Sequence, residues 1–225
     1  MASEAKAALS FVPSEAVHED AWVDYADVDG IMLATVGAPK SMYFYERAKR
    51  ALDILLGAVT LVLLSPVLAL VALAVRLDSN GPIIFKQLRV GKNGRLFEIL
   101  KFRTMRVDAP RYHHSPTRED DPRITRIGRI LRKTSLDELP QILNVIKGDM
   151  SLVGPRPEMP FIVEMYGPRE RQRLSVVPGI TGMWQLSGDR AYLIHENLHY
   201  DIYYIRNRGF FMDIAILLHT VLFAV

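Results

Sequence analysis

The run "ALDILLGAVTLVLLSPVLALVALAVRL", Ala51 to Leu77, decides how this chain is built. From Ile54 to Val75 it holds 22 residues without a charge, enough helix at ~1.5 Å per residue to cross a bilayer core of ~30 Å. By length alone it reads as an ordinary transmembrane helix. Ser65-Pro66, near its middle, changes the reading. Proline has no backbone N–H to donate and crowds the preceding turn, so a bend is expected there. The Ser65 hydroxyl stands next to the backbone groups that Pro66 would free. Arg47, Lys49 and Arg50 precede the run, and Arg76, Lys86, Arg89, Lys92 and Arg95 follow it. Basic clusters favour the cytoplasmic side of a membrane, and a straight span leaves one of these outside. A helix broken at Ser65-Pro66 returns both to one face, with arms of ~15 Å, about half the bilayer core. The expectation is a re-entrant helix hairpin over about residues 47–76.

Charge is divided unevenly around this element. Of 28 Lys+Arg and 25 Asp+Glu, residues 1–40 take only two lysines but seven acids, a net of −5. Residues 41–225 keep 26 basic and 18 acidic groups, a net of +8, which suits phosphate-rich partners or an anionic membrane face. We read 1–40 as a weakly ordered acidic lead-in, with a short helix or strand near "GIMLATVG" and without the basic start and apolar run of a secretory signal. Residues 41–225 read as one membrane-associated domain. The chain has no cysteine, which excludes disulfides, thiolate metal sites and cysteine nucleophiles.

Beyond the apolar run, "PIIFKQLRVGKNGRLFEILKFRTM" reads as two short strands around the turn "GKNG". The polar, proline-bearing stretch Asp108–Asp121 reads as a loop. His113-His114 and Asp120-Asp121 lack helical ligand spacing and read as solvated. In "DPRITRIGRILRKTS", Ile124, Ile127, Ile130 and Leu131 recur at helical spacing among Arg123, Arg126, Arg129 and Arg132. Next to a membrane element, such a basic amphipathic helix suits the interface. The C-terminal "GFFMDIAILLHTVLFAV", with Asp213 and His219, is short and polar for a span and also fits an interfacial helix.

In "KTSLDELPQILNVIKGDMSLVGPRPE", Lys133–Glu158, Asp137 and Glu138 stand side by side. Ser135 and Glu138 match a capping box, which is a structural reason for the pair. Pro140 complicates it, leaving either a distorted first turn or a helix that begins at Pro140, a favoured first position. Both place the carboxylates at a helix mouth, where backbone N–H groups attract anions. Adjacent carboxylates there can divide labour, one binding a divalent cation while the other attacks phosphorus. Downstream, Pro155 and Pro157 restrict Arg156, and arginine is the residue for two-pronged phosphate contact. Together these make a phosphoryl-transfer set.

From about Tyr43 onward the chain resembles the bacterial sugar transferases, the monotopic phosphoglycosyl transferases. The resemblance rests on "KRALDILLG", the Ser65-Pro66 break, "RVGKNGRLFEILKFRTM", "DPRITRIGRILRKTSLDELPQILNVIKGDMSLVGPRPE", "PGITGMWQLSG" and "YDIYYIRN". It implies an α+β, mainly helical monotopic membrane protein with a re-entrant hairpin that does not cross, a small β-hairpin and interfacial amphipathic helices. The implied reaction moves sugar-1-phosphate from a UDP-sugar to polyprenyl (undecaprenyl) phosphate and releases UMP. Asp137 would form a covalent phosphosugar intermediate, and Glu138 would help it hold Mg²⁺. Lys101, Arg103, Arg132, Pro155, Arg156, Gln185 and Arg190 would line the substrate site. Arg190 departs from the family pattern, because Asp189 follows Gly188 where the family usually has arginine. The implied location is the cytoplasmic face of the bacterial inner membrane, in exopolysaccharide or lipopolysaccharide assembly. Membrane lipid, downstream glycosyltransferases and a second copy of the chain are compatible partners.

Two other classes compete. A non-catalytic membrane scaffold needs neither Asp137-Glu138 nor "GPRP". A soluble metal phosphatase would use the apolar run as a core helix. Nucleic acid is not an expected partner, since the basic residues alternate with a membrane element and no zinc-ligand or aromatic platform pattern occurs. Neither a P-loop nor a dinucleotide glycine motif is present.

Overall fold

A computed structural model describes residues 22–28, 31–37, 42–109, 121–187 and 198–223 of the chain. The chain forms two compact units, Met1–Arg47 and Ala48–Val225. In the first, β1 (Trp22–Val28) pairs antiparallel with β2 (Ile31–Gly37), with Val28 opposite Ile31. Of the short helix or strand expected near "GIMLATVG", the structure has the strand, β2. The remaining lead-in residues lie outside the described ones, as do His113, His114 and Asp120.

Helix α1 (Tyr43–Asp78) contains the whole apolar run and continues through Pro66. The Ser65 hydroxyl donates to the Val62 carbonyl at 2.8 Å. Val62 is four residues before Pro66, so this is the carbonyl that the proline nitrogen cannot serve. The serine therefore makes good the local loss, as its place in the sequence suggests. The buried residues of α1 lie towards its ends: Asp53 and Gly57 on one arm, Val71 and Val75 on the other. Between them the surface is bare, with Val62 71%, Leu63 70% and Leu70 67% exposed. A soluble core helix would bury this surface, whereas only 11% of the apolar window is buried inside the protein. Exposed apolar surface on this scale suits a membrane, so the core-helix reading fails.

The second unit is mainly helical with small sheets. Strands β3 (Ile84–Val90) and β4 (Leu96–Phe102) form the expected antiparallel hairpin. Asn93 and Gly94 take left-handed φ values of 56° and 78° in its connection, which Asn and Gly tolerate best. Helix α2 (Arg126–Lys133) is capped by Thr125, whose side chain accepts from the Gly128 N–H. Its apolar face is narrower than the spacing predicts. Ile124 precedes the helix and bridges to Met105, Leu131 is buried, and Ile130 is 57% exposed.

Leu131 packs with Val71, Val75 and Phe102, while Phe97, Ile99, Val145 and Met150 form a neighbouring cluster. Val145 belongs to α3 (Gln141–Lys147), and burying a side chain of this kind fully contributes about 1.5–3 kcal/mol. Asn144 on α3 accepts from the Leu100 N–H at 3.0 Å and donates to the Glu98 carbonyl at 2.8 Å, fixing β4 against the helix. Strands β5 (Ser151–Val153) and β6 (Gly179–Thr181) pair in parallel. Short helices α4 (Pro160–Val163), α5 (Pro168–Arg171) and α6 (Met183–Leu186) connect these elements to α7 (Leu198–Asn207) and α8 (Phe210–Phe223). The C-terminal helix expected from sequence is α8. Its Asp213 is buried and accepts from Lys49 Nζ at 2.7 Å and the Tyr204 hydroxyl at 2.8 Å. Phe211, Leu218 and Val221 on α8 are exposed.

Candidate active site

Asp137 and Glu138 lie in a single 3₁₀ turn, Leu136–Glu138, between α2 and α3. The capping box predicted from Ser135 and Glu138 does not form. Ser135 has a left-handed φ of 55° and its side chain caps nothing. The sequence left open a distorted first turn or a helix beginning at Pro140; the structure has the 3₁₀ turn followed by α3 from Gln141, with Pro140 as its N-cap. Glu138 is thereby released from capping and used elsewhere. Its Oε1 accepts from Lys101 Nζ at 2.7 Å and from Arg156 Nη2 at 2.8 Å, while Oε2 meets Arg156 Nη1 at 3.4 Å.

Three elements converge to make this cluster. Lys101 comes from β4, the carboxylates from the turn after α2, and Arg156 from the segment after β5. That segment is held close to β6 by the Gly154 and Gly179 backbones. A Cβ on Gly179 would lie 2.1 Å from the Gly154 nitrogen, so no larger residue fits the approach. The Gly179 N–H donates to the Pro155 carbonyl at 2.9 Å, which locks the residue before Arg156. The Arg156 side chain stays 33% exposed, open to a ligand.

The two carboxylates differ. Burial would raise Glu138, but Arg156 and Lys101 more than offset it and hold its carboxyl far below the usual range. Burial pushes the Asp137 carboxyl up, with Glu138 adding to the rise and Lys101, Arg132 and Arg156 opposing it. Asp137 accepts no hydrogen bond among the described residues. One carboxylate is thus fixed and paired, and its neighbour is buried and free of donors. Adjacent titratable groups pushed apart in this way are a mark of functional sites.

Arg132 at the end of α2 is near enough to act on Asp137, and Pro155 precedes the clamped Arg156. The structure does not bring Arg103 to the cluster. That side chain is 5% exposed and donates from Nη2 to the Ser79 carbonyl at 2.6 Å and hydroxyl at 2.9 Å. Gln185 sits on α6 and donates to the Ile180 carbonyl at 3.4 Å, and no contact joins it to Glu138 among the described residues. Arg190 lies outside the described residues.

Sequence reasoning missed Arg89, Glu158 and Arg173. Arg89 on β3 is pushed down to about 10, chiefly by burial and then by Arg156, with Glu158 and Glu138 opposing. Its only sequence signal is its place in "RVGKNG". Arg173, 4% exposed, sits in "ERQRLS", which looks like an ordinary solvated stretch.

Asp137 and Glu138 are the two groups here that could ligate a hard divalent cation. Mg²⁺ takes one or two carboxylates and fills its remaining positions with phosphate and water oxygens. Asp137 is unengaged, and Oε2 of Glu138 carries only the long 3.4 Å contact, so both retain lone pairs. Among the described residues no group of three or more His, Cys, Asp or Glu side chains is placed to hold a metal ion.

Comparison with known proteins gives this geometry its context. The family model described as "Bacterial sugar transferase" matches residues 44–225. The chain is 45% identical over 196 residues to the "Galactosyl transferase CpsE" of Streptococcus agalactiae, covering 80% of this chain and 43% of that protein. It is 40% identical over 209 residues to the "UDP-glucose:undecaprenyl-phosphate glucose-1-phosphate transferase" of Caulobacter vibrioides, covering 88% and 78%. It is 38% identical over 189 residues to the "Exopolysaccharide production protein ExoY" of Rhizobium meliloti, covering 77% and 84%. The chain therefore spans less than half of the streptococcal relative and most of the other two.

Proposed function

The chain belongs to the bacterial sugar transferase family, and on that footing we propose that it transfers sugar-1-phosphate from a UDP-sugar to undecaprenyl phosphate, releasing UMP. The observation that carries this reading is the unequal pair: Asp137, without a donor among the described residues, beside Glu138 clamped by Lys101 and Arg156. A scaffold has no use for a buried carboxylate set among cations beside a second, clamped one.

In this reading an Asp137 oxygen attacks the phosphorus that bears the sugar. The bond from that phosphorus to the UMP oxygen breaks, and UMP leaves with the electron pair. An oxygen of the lipid phosphate then attacks the same phosphorus, and the Asp137 carboxylate departs as it was. A carboxylate is a weak nucleophile, so the site must hold it charged and aligned. Burial raises Asp137, and Lys101, Arg132 and Arg156 oppose that effect in favour of the charged form. Arg156, open on one side, receives the donor's phosphates. Asp137 and Glu138 would hold Mg²⁺, whose charge offsets that of the diphosphate.

The acceptor is a membrane lipid, so the site must lie at a membrane surface. Both arms of α1 support a hairpin that does not cross. Arg50 donates to the Ile146 carbonyl at 2.7 Å, next to Val145, which packs with Ile99. Three residues further along β4, Phe102 packs with Val75. A straight helix would separate Arg50 from Val75 by about 37 Å, a span this short series of contacts reaches only if stretched end to end. A bend at Ser65-Pro66 would bring both arms to the catalytic unit. With both basic flanks on one side, that side is the cytoplasmic face of the inner membrane. The glycan made is an exopolysaccharide or lipopolysaccharide, and enzymes that extend the lipid-linked sugar are the next partners.

The test is turnover with undecaprenyl phosphate and, in turn, UDP-glucose and UDP-galactose. UMP release dependent on both substrates supports the reading, and its absence with every UDP-sugar removes it.

A further inference from the structure

Arg173 is buried to 4% exposure and reaches four groups on three different parts of the fold. Its Nε donates to Asp201 Oδ2 on α7 at 2.7 Å. Its Nη1 donates to the Tyr166 hydroxyl and lies 4.0 Å from Glu158 Oε1. Its Nη2 donates to the backbone carbonyl of Arg156 at 2.9 Å.

From this geometry we propose that Arg173 is a positioning residue for donor binding: it fixes the Arg156 backbone so that the Arg156 guanidinium meets the donor phosphates in one pose. The inference rests on the reading of Arg156 as a donor-binding residue.

The structure gives this a physical basis. Pro155 and Pro157 restrict the φ angles beside Arg156, yet fixed dihedrals alone do not place a segment in space. Two backbone bonds do. The Pro155 carbonyl is held from β6 by Gly179, and the Arg156 carbonyl is held by Arg173. Arg173 is itself held by Asp201, whose carboxylate is 1% exposed. A planar guanidinium can serve Asp201, Tyr166 and the carbonyl together because its donors point in fixed directions. A lysine at this position keeps the charge and loses the simultaneous contacts. Misplacement of a phosphate-binding group by a fraction of an ångström is enough to weaken a bound pose. The expected loss therefore falls on donor binding first.

The experiment is a double-mutant cycle on the full chain in detergent, using the more active of UDP-glucose and UDP-galactose with undecaprenyl phosphate. Wild type, Arg173→Lys, Arg156→Ala and the double variant are compared for donor KM, kcat and thermal midpoint. Arg173→Lys should raise donor KM by about tenfold, a loss of ~1.4 kcal/mol, with kcat changed much less. In the Arg156→Ala background the same substitution should change KM by less than about twofold, because the group it positions is gone. An equal fold-loss in both backgrounds overturns the inference and makes Arg173 a general structural residue. If Arg173→Lys fails to fold, Tyr166→Phe takes its place, removing one anchor of the guanidinium while keeping the ring. It should raise donor KM about two- to fivefold in the wild-type background and leave KM unchanged in Arg156→Ala. An Arg156→Ala single variant with wild-type KM would instead remove the reading of Arg156 as donor-binding, and the positioning role with it.

Discussion

Lys101 Nζ lies 2.7 Å from Glu138 Oε1, joining β4 to the turn that carries the carboxylate pair. Side-chain exposure is 18% for the lysine and 20% for the glutamate, so the pair is screened little by solvent. The same oxygen also takes Arg156. Glu138 is therefore the hinge of the site, with one cation from the sheet and one from the "GPRP" segment. Lys101→Met removes the first and keeps the stem. It should destabilise the protein by about 1.5–3 kcal/mol, the range for hydrogen bonds to charged groups, as read from a urea melt. Activity should fall further than stability explains, since Glu138 is then free to swing towards Arg156. Turnover per folded molecule at the wild-type level would place Lys101 outside the site.

The unequal pair makes a prediction about pH with opposite signs for its members. Asp137 is raised in the folded state, so protonation favours the fold, and its ionised form costs stability above the folded pKa. Asp137→Asn should therefore be at least as stable as wild type near neutrality, with the difference shrinking as pH falls through that pKa. Glu138 is lowered, so its contribution is present above the unfolded carboxylate pKa and is lost as pH falls towards the folded one. Glu138→Gln should be less stable than wild type at neutrality, and this gap should close only in strong acid. In the proposed mechanism Asp137 attacks in its charged form, so kcat/KM should fall on the acid side at a pH above the ordinary carboxylate range. Denaturant midpoints at several pH values, alongside a pH–rate profile, check all three.

Arg156 reaches Glu138 through both Nη atoms, a use of the planar fork that lysine cannot copy. Arg156→Lys keeps the charge and should keep the fold. Loss of the two-pronged contact to phosphate is worth ~1.5–3 kcal/mol, or about tenfold to a hundredfold in rate. Steady-state rates at saturating acceptor measure it, and near wild-type turnover would remove Arg156 from donor binding.

Much of this molecule is legible in sequence because the legible features are local. The apolar run, the "GKNG" turn and the proline bracket around Arg156 are each set by neighbouring residues. The convergence of Lys101, Glu138 and Arg156 follows from the family motifs, since nothing local links β4 to "GPRP". What sequence left unread depends on long-range packing. Ser135 matches a capping box, yet Pro140 and the pull of Lys101 and Arg156 on Glu138 override it. Arg103, two residues from Lys101, turns instead to Ser79 at the foot of α1. Arg173 and Asp201 are 28 residues apart in the chain, and no spacing rule predicts that they meet beneath Arg156.

The bend proposed at Ser65-Pro66 predicts a topology. Single cysteines at Arg47 and at Lys92 should both react with a membrane-impermeant reagent only from the cytoplasmic side. Labelling of one from outside would establish a true span. Pro66→Leu restores a backbone donor to the Val62 carbonyl that Ser65 now serves, so some molecules should straighten and expose one end. Unchanged labelling in that variant would show that the bend has another cause.

Asp137 and Glu138 are adjacent, in this reading, because one bonds to phosphorus while its fixed neighbour shares the cation. Asp137→Asn should abolish turnover and any covalent adduct, since an amide is no nucleophile here. Glu138→Gln should be severe but partly relieved by raised Mg²⁺, because a weakened ligand set is offset by mass action. A merely structural pair predicts something different: both amide variants would keep most of their activity and change stability alone. Intact mass spectrometry decides between them. Wild type incubated with UDP-sugar and no acceptor should gain the mass of one phosphosugar, localised to the peptide that contains Asp137. Adding undecaprenyl phosphate should release that mass as lipid product appears. Glu138→Gln should form the adduct slowly, and Asp137→Asn should not form it at all. Turnover without an adduct, in a quench fast enough to catch it, would show that the phosphosugar passes directly from donor to acceptor, with Asp137 serving only to hold the cation.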